Sequence, residues 1–264
     1  MSNKVIFMIT TKPYDDYSKN IQINAINSWL RLSINKLIVI NSDDPDNKKY
    51  FNHSDIKIVP LKRQSPTHVP YVRDVFESGY NYYESGDMLC YINADIMLQD
   101  DFCVTLKAIP IHTYGNYLIG GRKWSWMNKS EFLKIQEFPL NIEEIKKFGS
   151  LDMPCATDYF IHNKELYQNL IPDDMLIARA NWDMWLNALA INKNATTIDI
   201  TNTCFSVHPG HEYGDKKTLR GEYYNTIMKE IKINRKYESP NGTIDRYKYY
   251  TIMDGENIVI KERK

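Results

Sequence analysis

The sequence predicts an α/β fold in which a mostly parallel central sheet is flanked by helices, and three observations predict it. Over the first hundred residues, short apolar runs alternate with segments of helical periodicity, the order that a sheet covered by crossover helices requires. Several of those runs are continuously apolar rather than alternating, as strands buried on both faces are. At 264 residues, 43% of them apolar, the chain can bury a sizeable core.

The elements follow in order. "KVIFMIT" is the first strand, broken by "TKPYDD", and residues 18–33 place Ile21, Ala25, Trp29 and Leu32 on one helical face. "KLIVIN" reads as a second strand ending in the acidic turn "SDDPD", and "IKIVPL" as a third. After the Pro-punctuated loop "RQSPTHVP", residues 71–84 read as a helix leading through "SGD" into the strand "LCYINADIMLQDD". "NYLIGGRKWSW" is a strand entering a Gly-Gly turn, residues 130–150 are helical with Pro139 interrupting, and "ATDYFIHN" is again a strand. "ANWDMWLNALA" is a short helix, and "TTIDITNTCFSVHPGHEYG" is strand-rich. Residues 1–214 form the main domain. Residues 215–264 form an appendage packed on it, with one helical piece and the hairpin "YKYYTIMDGENIVIK", whose Asp-Gly is a turn signal.

Charge and cysteine usage narrow the class. Lys+Arg and Asp+Glu both number 33, but by count residues 215–264 hold 12 basic and 8 acidic side chains. That mildly basic tail permits a peripheral membrane contact. The four cysteines, at 90, 103, 155 and 204, show no Cys-x-x-Cys spacing and read as reduced core thiols of a cytoplasmic protein. The apolar run 5–9 is too short for a signal peptide, and no stretch approaches the roughly 18 residues that span a bilayer. The sequence lacks Gly-x-Gly-x-x-Gly after the first strand, Walker A and Gly-x-Ser-x-Gly, and its basic residues form no nucleic-acid stripe.

In open sheets, ligands bind beyond the carboxyl ends of the strands, where Thr10, Thr11, Lys12, Asp43, Asp44, Asn93, Ala94 and Asp95 fall. An acid ending a buried strand suits a divalent metal and its diphosphate, or else caps the next turn. His208 and His211 lie on a Pro-Gly turn that can aim an imidazole at a metal; an ordinary surface turn is the competing reading. Asp183, beside the aromatic face that includes Trp182, suits a general base whose basicity burial raises, or else complements the dipole of a helix capped by Asn181. Lys12, Arg73 and Arg122 could contact a diphosphate and Arg179 an acceptor, while Trp124 alternates with polar residues in a way that suits stacking on a sugar.

Seven blocks in order, "TTKPY", "QINAINSWLRL", "CYINADIMLQDDF", "GGRKW", "TDYFIHNKELY", "IARANWDMWLNALA" and "IDITNTCFSVHPGHEY", resemble a glycosyltransferase-like family of bacteria, plants and viruses within the GT-A class of nucleotide-sugar enzymes. They cover about residues 5–214. The resemblance implies a GT-A-like, Rossmann-like fold and transfer of a sugar from a nucleoside-diphosphate sugar, UDP-sugars first, to a hydroxyl of a glycan or glycoconjugate. It implies Mn²⁺ or Mg²⁺ on Asp95 and on His208 or His211, with Asn93 in the first position of Asp-x-Asp. Asp43 or Asp44 would face base and ribose, and Thr10 and Arg73 would line the nucleotide pocket. Asp183 would be the base of an inverting displacement, with Asp158 as the alternative base or a ligand of the donor sugar. Two other classes compete: a catalytically weak carbohydrate- or nucleotide-binding protein on the same fold, and a sugar-1-phosphate nucleotidyltransferase.

Overall fold

A computed structural model describes residues 4–13, 18–126, 140–209 and 222–264. The mixed α/β architecture is built on a nine-stranded, mostly parallel sheet. Its parallel core runs β1 (Val5–Thr10), β2 (Lys36–Asn41), β3 (Ile56–Val59) and β4 (Met88–Ile92), with β1 between β2 and β4. Beyond β4 come β8 (Tyr159–His162), β5 (Tyr117–Gly120), β9 (Thr196–Asp199), β11 (Tyr249–Asp254) and β12 (Asn257–Glu262). β8 runs antiparallel to both its neighbours, which the sequence does not announce. A second, three-stranded sheet joins β6 (Trp124–Trp126) to β7 (Gly149–Leu151) and β10 (Val207–Pro209).

The apolar runs form strands because both faces of the sheet are covered; Val5, Ile6, Phe7, Met8 and Ile9 are all fully buried. Around them lie α1 (Ser18–Arg31), α2 (Asp46–Tyr50), α3 (Val72–Tyr80), α4 (Asp100–Ala108), α5 (Ile142–Phe148), α6 (Lys164–Tyr167), α7 (Trp182–Asn192) and α8 (Glu222–Arg235). α1 buries Ile21, Ala25 and Trp29, the stripe its periodicity predicts. Trp29 stacks on Phe7 with ring centroids 5.6 Å apart, and its indole N–H donates to the Ile96 carbonyl at 2.9 Å. One side chain therefore packs the core and fixes the turn after β4; truncating it to alanine should cost about 3–5 kcal/mol.

Several boundaries differ from the sequence reading; of the helical region expected over 130–150, residues 130–139 with Pro139 lie outside the described residues and α5 ends at Phe148. α3 ends at Tyr80 rather than Glu84, and the acidic turn after β2 leads into the short helix α2. The C-terminal hairpin exists, but its two central residues are Gly255 and Glu256, with Asp254 paired to Asn257. Gly255 takes φ +62° there, the place where a two-residue loop of this type needs glycine. Through β11 beside β9, the tail extends the main sheet. All four cysteines are free, three of them buried and Cys155 half-buried. Among the described residues no helix is long and apolar enough to cross a membrane.

Candidate active site

Three backbone features bring polar side chains from distant parts of the chain to the carboxyl end of β4. First, the turn that follows β4 is closed by the Ile96 N–H donating to the Asn93 carbonyl at 3.1 Å, which sets Asp95 in the turn just past the strand. Second, Met97 and Val207 exchange backbone hydrogen bonds of 2.8 and 3.0 Å, so β10 lies against this turn and His208 arrives beside Asp95. Third, the reversal of β8 pairs Tyr159 with Ile92, so Asp158, which precedes its strand, sits at the edge where the other strands end. The Asn93 N–H donates to the Asp158 carbonyl at 2.9 Å.

Asp95 is 5% exposed. Its Oδ2 accepts a hydrogen bond from Lys12 Nζ at 2.7 Å and lies 3.6 Å from His208 Nε2. Asn93 donates from Nδ2 to Asp158 Oδ1 at 2.5 Å, and its Oδ1 accepts from the Tyr91 hydroxyl at 3.0 Å. The other Asp158 oxygen meets the ammonium of Lys123, which also lies 3.3 Å from Asp152 Oδ2. Lys123 is buried, and burial pushes its ammonium down while Asp152, and beyond it Asp95 and Asp183, hold it up. Sequence reasoning passed over Lys123. It is adjacent to Arg122 in "GGRKW", and nothing local indicates which of the two basic residues turns toward carboxylates thirty residues away.

Asp183 opens α7. Asn181 takes a left-handed conformation at φ 71° and makes no side-chain cap, so the first turn is not closed by the amide the sequence offered. Instead Asp183 Oδ1 accepts from the Met184 N–H at 2.9 Å. Part of the residue reaches solvent, but its carboxyl lies deep among protein atoms. Burial pushes it up to about 6, against the Met184 hydrogen bond and the charge of Lys123. A carboxylate poised near neutrality is what proton abstraction at physiological pH needs.

The remaining candidates have other occupations. Thr11 donates to the Ser42 hydroxyl at 2.8 Å, and Thr10 ends β1 opposite Asn41. Asp43 holds the next loop, accepting from the Leu61 N–H at 3.0 Å and Gln64 Nε2 at 2.7 Å. Asp44 accepts from the Asp46 N–H at the start of α2, and Ala94 is buried in the turn. Arg73 bonds the Ile171 carbonyl and Asp173, and Arg179 is locked to Glu230 and Thr67. Arg122 donates from Nε to the Asp152 carbonyl at 2.5 Å. Trp124 packs on Phe205, and buried Trp182 sits edge-on to Tyr91 at 5.0 Å, behind the site. His211 lies outside the described residues. A cavity of about 260 Å³, bordered by Arg73, Phe76, Tyr80, Lys164 and Tyr167, shares no residue with the Asp95 cluster. The convergence of charged groups, rather than this concavity, marks the site.

The donor set can be matched to the divalent cation that the family resemblance implies. Asp95 supplies a hard oxygen and His208 a borderline nitrogen within the span of one ion, the ligand types Mg²⁺ and Mn²⁺ accept. Among the described residues no group of three His, Cys, Asp or Glu is spaced to hold a metal. Such ions commonly take only one or two protein ligands and fill their shell with phosphate and water, so the pair fits a cation that arrives with a nucleotide.

No protein-family model matches the sequence, and no curated protein matches it. Solved structures do. Residues 1–349 of TarS from S. aureus align at 11% identity and a TM-score of 0.33, over 53% of this chain and 38% of that one. The inositol-1-phosphate CTP transferase of T. maritima aligns at 11% identity and 0.44, over 87% of this chain and 96% of that one. Glucosyl-3-phosphoglycerate synthase of Mycobacterium tuberculosis, solved with Mg²⁺ and UDP, aligns at 9% identity and 0.46, over 99% of this chain and 87% of that one.

Proposed function

We propose that the protein transfers a sugar from a nucleoside-diphosphate sugar to an acceptor hydroxyl, with inversion. The observation that supports this reading is the meeting of Lys12, Asp95 and His208, from three distant segments, at the carboxyl edge of the sheet. Asp95 and His208 would hold a divalent cation, and Lys12 would face the diphosphate. The chemistry supplied by a cation held there is neutralisation of the charge that builds on the departing diphosphate. Lys123 pairs with Asp158 and Asp152 at the back of the site, where Asp158 would accept hydrogen bonds from sugar hydroxyls. Asp183 takes the proton of the acceptor hydroxyl as it attacks, and its raised affinity for protons suits that task.

Calorimetry with UDP, GDP, CDP and ADP in the presence of Mn²⁺ tests the reading, together with a nucleotide-sugar hydrolysis screen on the wild type and Asp183→Asn. At least one diphosphate should bind to both proteins, and turnover of its sugar should fall in Asp183→Asn by about 10²–10⁴-fold, the usual worth of a positioned base. Failure of every diphosphate to bind would overturn the function. Near-normal turnover in Asp183→Asn would remove that residue as the base.

A further inference from the structure

We infer that Lys12 is the counter-ion of Asp95 before ligands arrive and exchanges it for the diphosphate when nucleotide and cation enter together, which makes their binding synergistic. The inference rests on the nucleotide-sugar reading above and concerns the order of events at that site.

Lys12 is built with a fixed root and a free tip. Gln22, 1% exposed, clasps its backbone in both directions: the Lys12 N–H donates to Gln22 Oε1 at 2.7 Å, and Gln22 Nε2 donates to the Lys12 carbonyl at 3.1 Å. The side chain beyond that clasp is 56% exposed, whereas the side chain of its partner Asp95 is only 7% exposed. A buried carboxylate is costly without a counter-charge, and a solvent-facing ammonium can supply one and still swing away. The oxygen it touches, Oδ2, is also the one nearest His208 Nε2, so the ammonium stands where a cation shared by those two donors would be repelled.

Charge counting then separates three states. With Lys12 on Asp95 the pair is neutral. The diphosphate of a nucleotide sugar, esterified at both ends and arriving alone, would bring two negative charges against a pair that has none to spare, and a free nucleoside diphosphate would bring more. A divalent cation arriving alone must displace Lys12 and leave it without a partner. When both arrive, cation and ammonium together match carboxylate and diphosphate, and Lys12 moves from one anion to the other. Each ligand therefore creates the other's partner, and linkage requires the two to strengthen each other by the same factor.

The test is calorimetric titration of the full chain with MnCl₂ alone, with each nucleoside diphosphate alone, and with each in the presence of the other. It compares the wild type, Lys12→Gln, which keeps the clasped backbone and removes the charge, and Lys12→Arg, which keeps the charge. Lys12→Gln should bind Mn²⁺ alone on the order of tenfold more tightly than the wild type, and the diphosphate with Mn²⁺ on the order of tenfold more weakly. Its synergy should collapse, while Lys12→Arg should follow the wild type. Equal or weaker binding of Mn²⁺ alone by Lys12→Gln would overturn the exchange. Absence of diphosphate binding by the wild type in every condition would instead overturn the nucleotide-sugar reading itself.

Discussion

Asn93 stands two residues before Asp95, where a second acid would have made a pair, and its neighbours explain the amide. Its Nδ2 is a donor to Asp158 Oδ1 at 2.5 Å, and its Oδ1 an acceptor from the Tyr91 hydroxyl. Only an amide offers both functions in that orientation; a carboxylate would face a carboxylate. Restoring the acid should therefore damage the site. For Asn93→Asp we expect a loss of about 1–3 kcal/mol at pH 8 that shrinks toward pH 5 as the pair takes up a shared proton, read from urea unfolding at both pH values. A variant as stable as the wild type at pH 8 would show that the Asn93–Asp158 bond contributes nothing. The example marks what is legible in single residues. Asp95, Asp183 and His208 stand out because a polar side chain at the end of an apolar run is locally odd. Arg179 and Arg73 do not reveal that Glu230 and Asp173 hold them, since those partners depend on packing between distant segments.

At the scale of elements, hydrophobic period identified β1 to β4, α1 and α7, because burial of a face leaves that period in the chain. It could not supply the reversal of β8 or the three-stranded sheet, since pairing direction leaves no local trace. Nor could it show what the C-terminal segment does. There the Ile244 N–H donates to the Pro154 carbonyl at 3.1 Å, and the Tyr247 hydroxyl donates to Asn187 Oδ1 at 2.7 Å. Asn187 Nδ2 in turn donates to the Gly242 carbonyl at 3.1 Å. One segment thus braces both the loop that carries Asp152 and Asp158 and the helix that carries Asp183. It packs so closely that a Cβ on Gly242 would meet the Met184 carbonyl oxygen at 1.7 Å. Gly242→Ala should cost at least the 1–3 kcal/mol typical of overpacking, about that much because backbone rather than a flexible side chain must yield. Thermal unfolding with an unchanged midpoint would mean that the brace yields to a methyl group without cost.

For the molecule as a whole, equal numbers of acidic and basic residues leave little net self-repulsion near neutrality, so buried groups govern how stability follows pH. Asp101 and Asp183 are both pushed up to about 6 by burial. Their contribution is fully present below the unfolded carboxylate value and is lost as pH rises through 6. His162 works in the opposite sense. It is fully buried, stacked on Phe76 at 5.2 Å and edge-on to Tyr167 at 4.8 Å; Nδ1 donates to the Asn163 carbonyl, and Nε2 has no hydrogen-bond partner among the described residues. Burial lowers it from 6.5 to about 4. Its contribution is therefore present above 6.5 and is lost as pH falls through 4. The two trends overlap between pH 4 and 6.5 and oppose each other, so the histidine offsets part of what the two carboxylates lose as pH rises. His162→Phe keeps the aromatic stack and removes the titration. Relative to the wild type it should gain stability steadily as pH falls from 7 to 4.5, by about 2 kcal/mol, most of the worth of the His162 shift. Melting curves of both proteins across that range check this, and parallel pH profiles would show that His162 takes up its proton as readily in the folded chain as in the unfolded one.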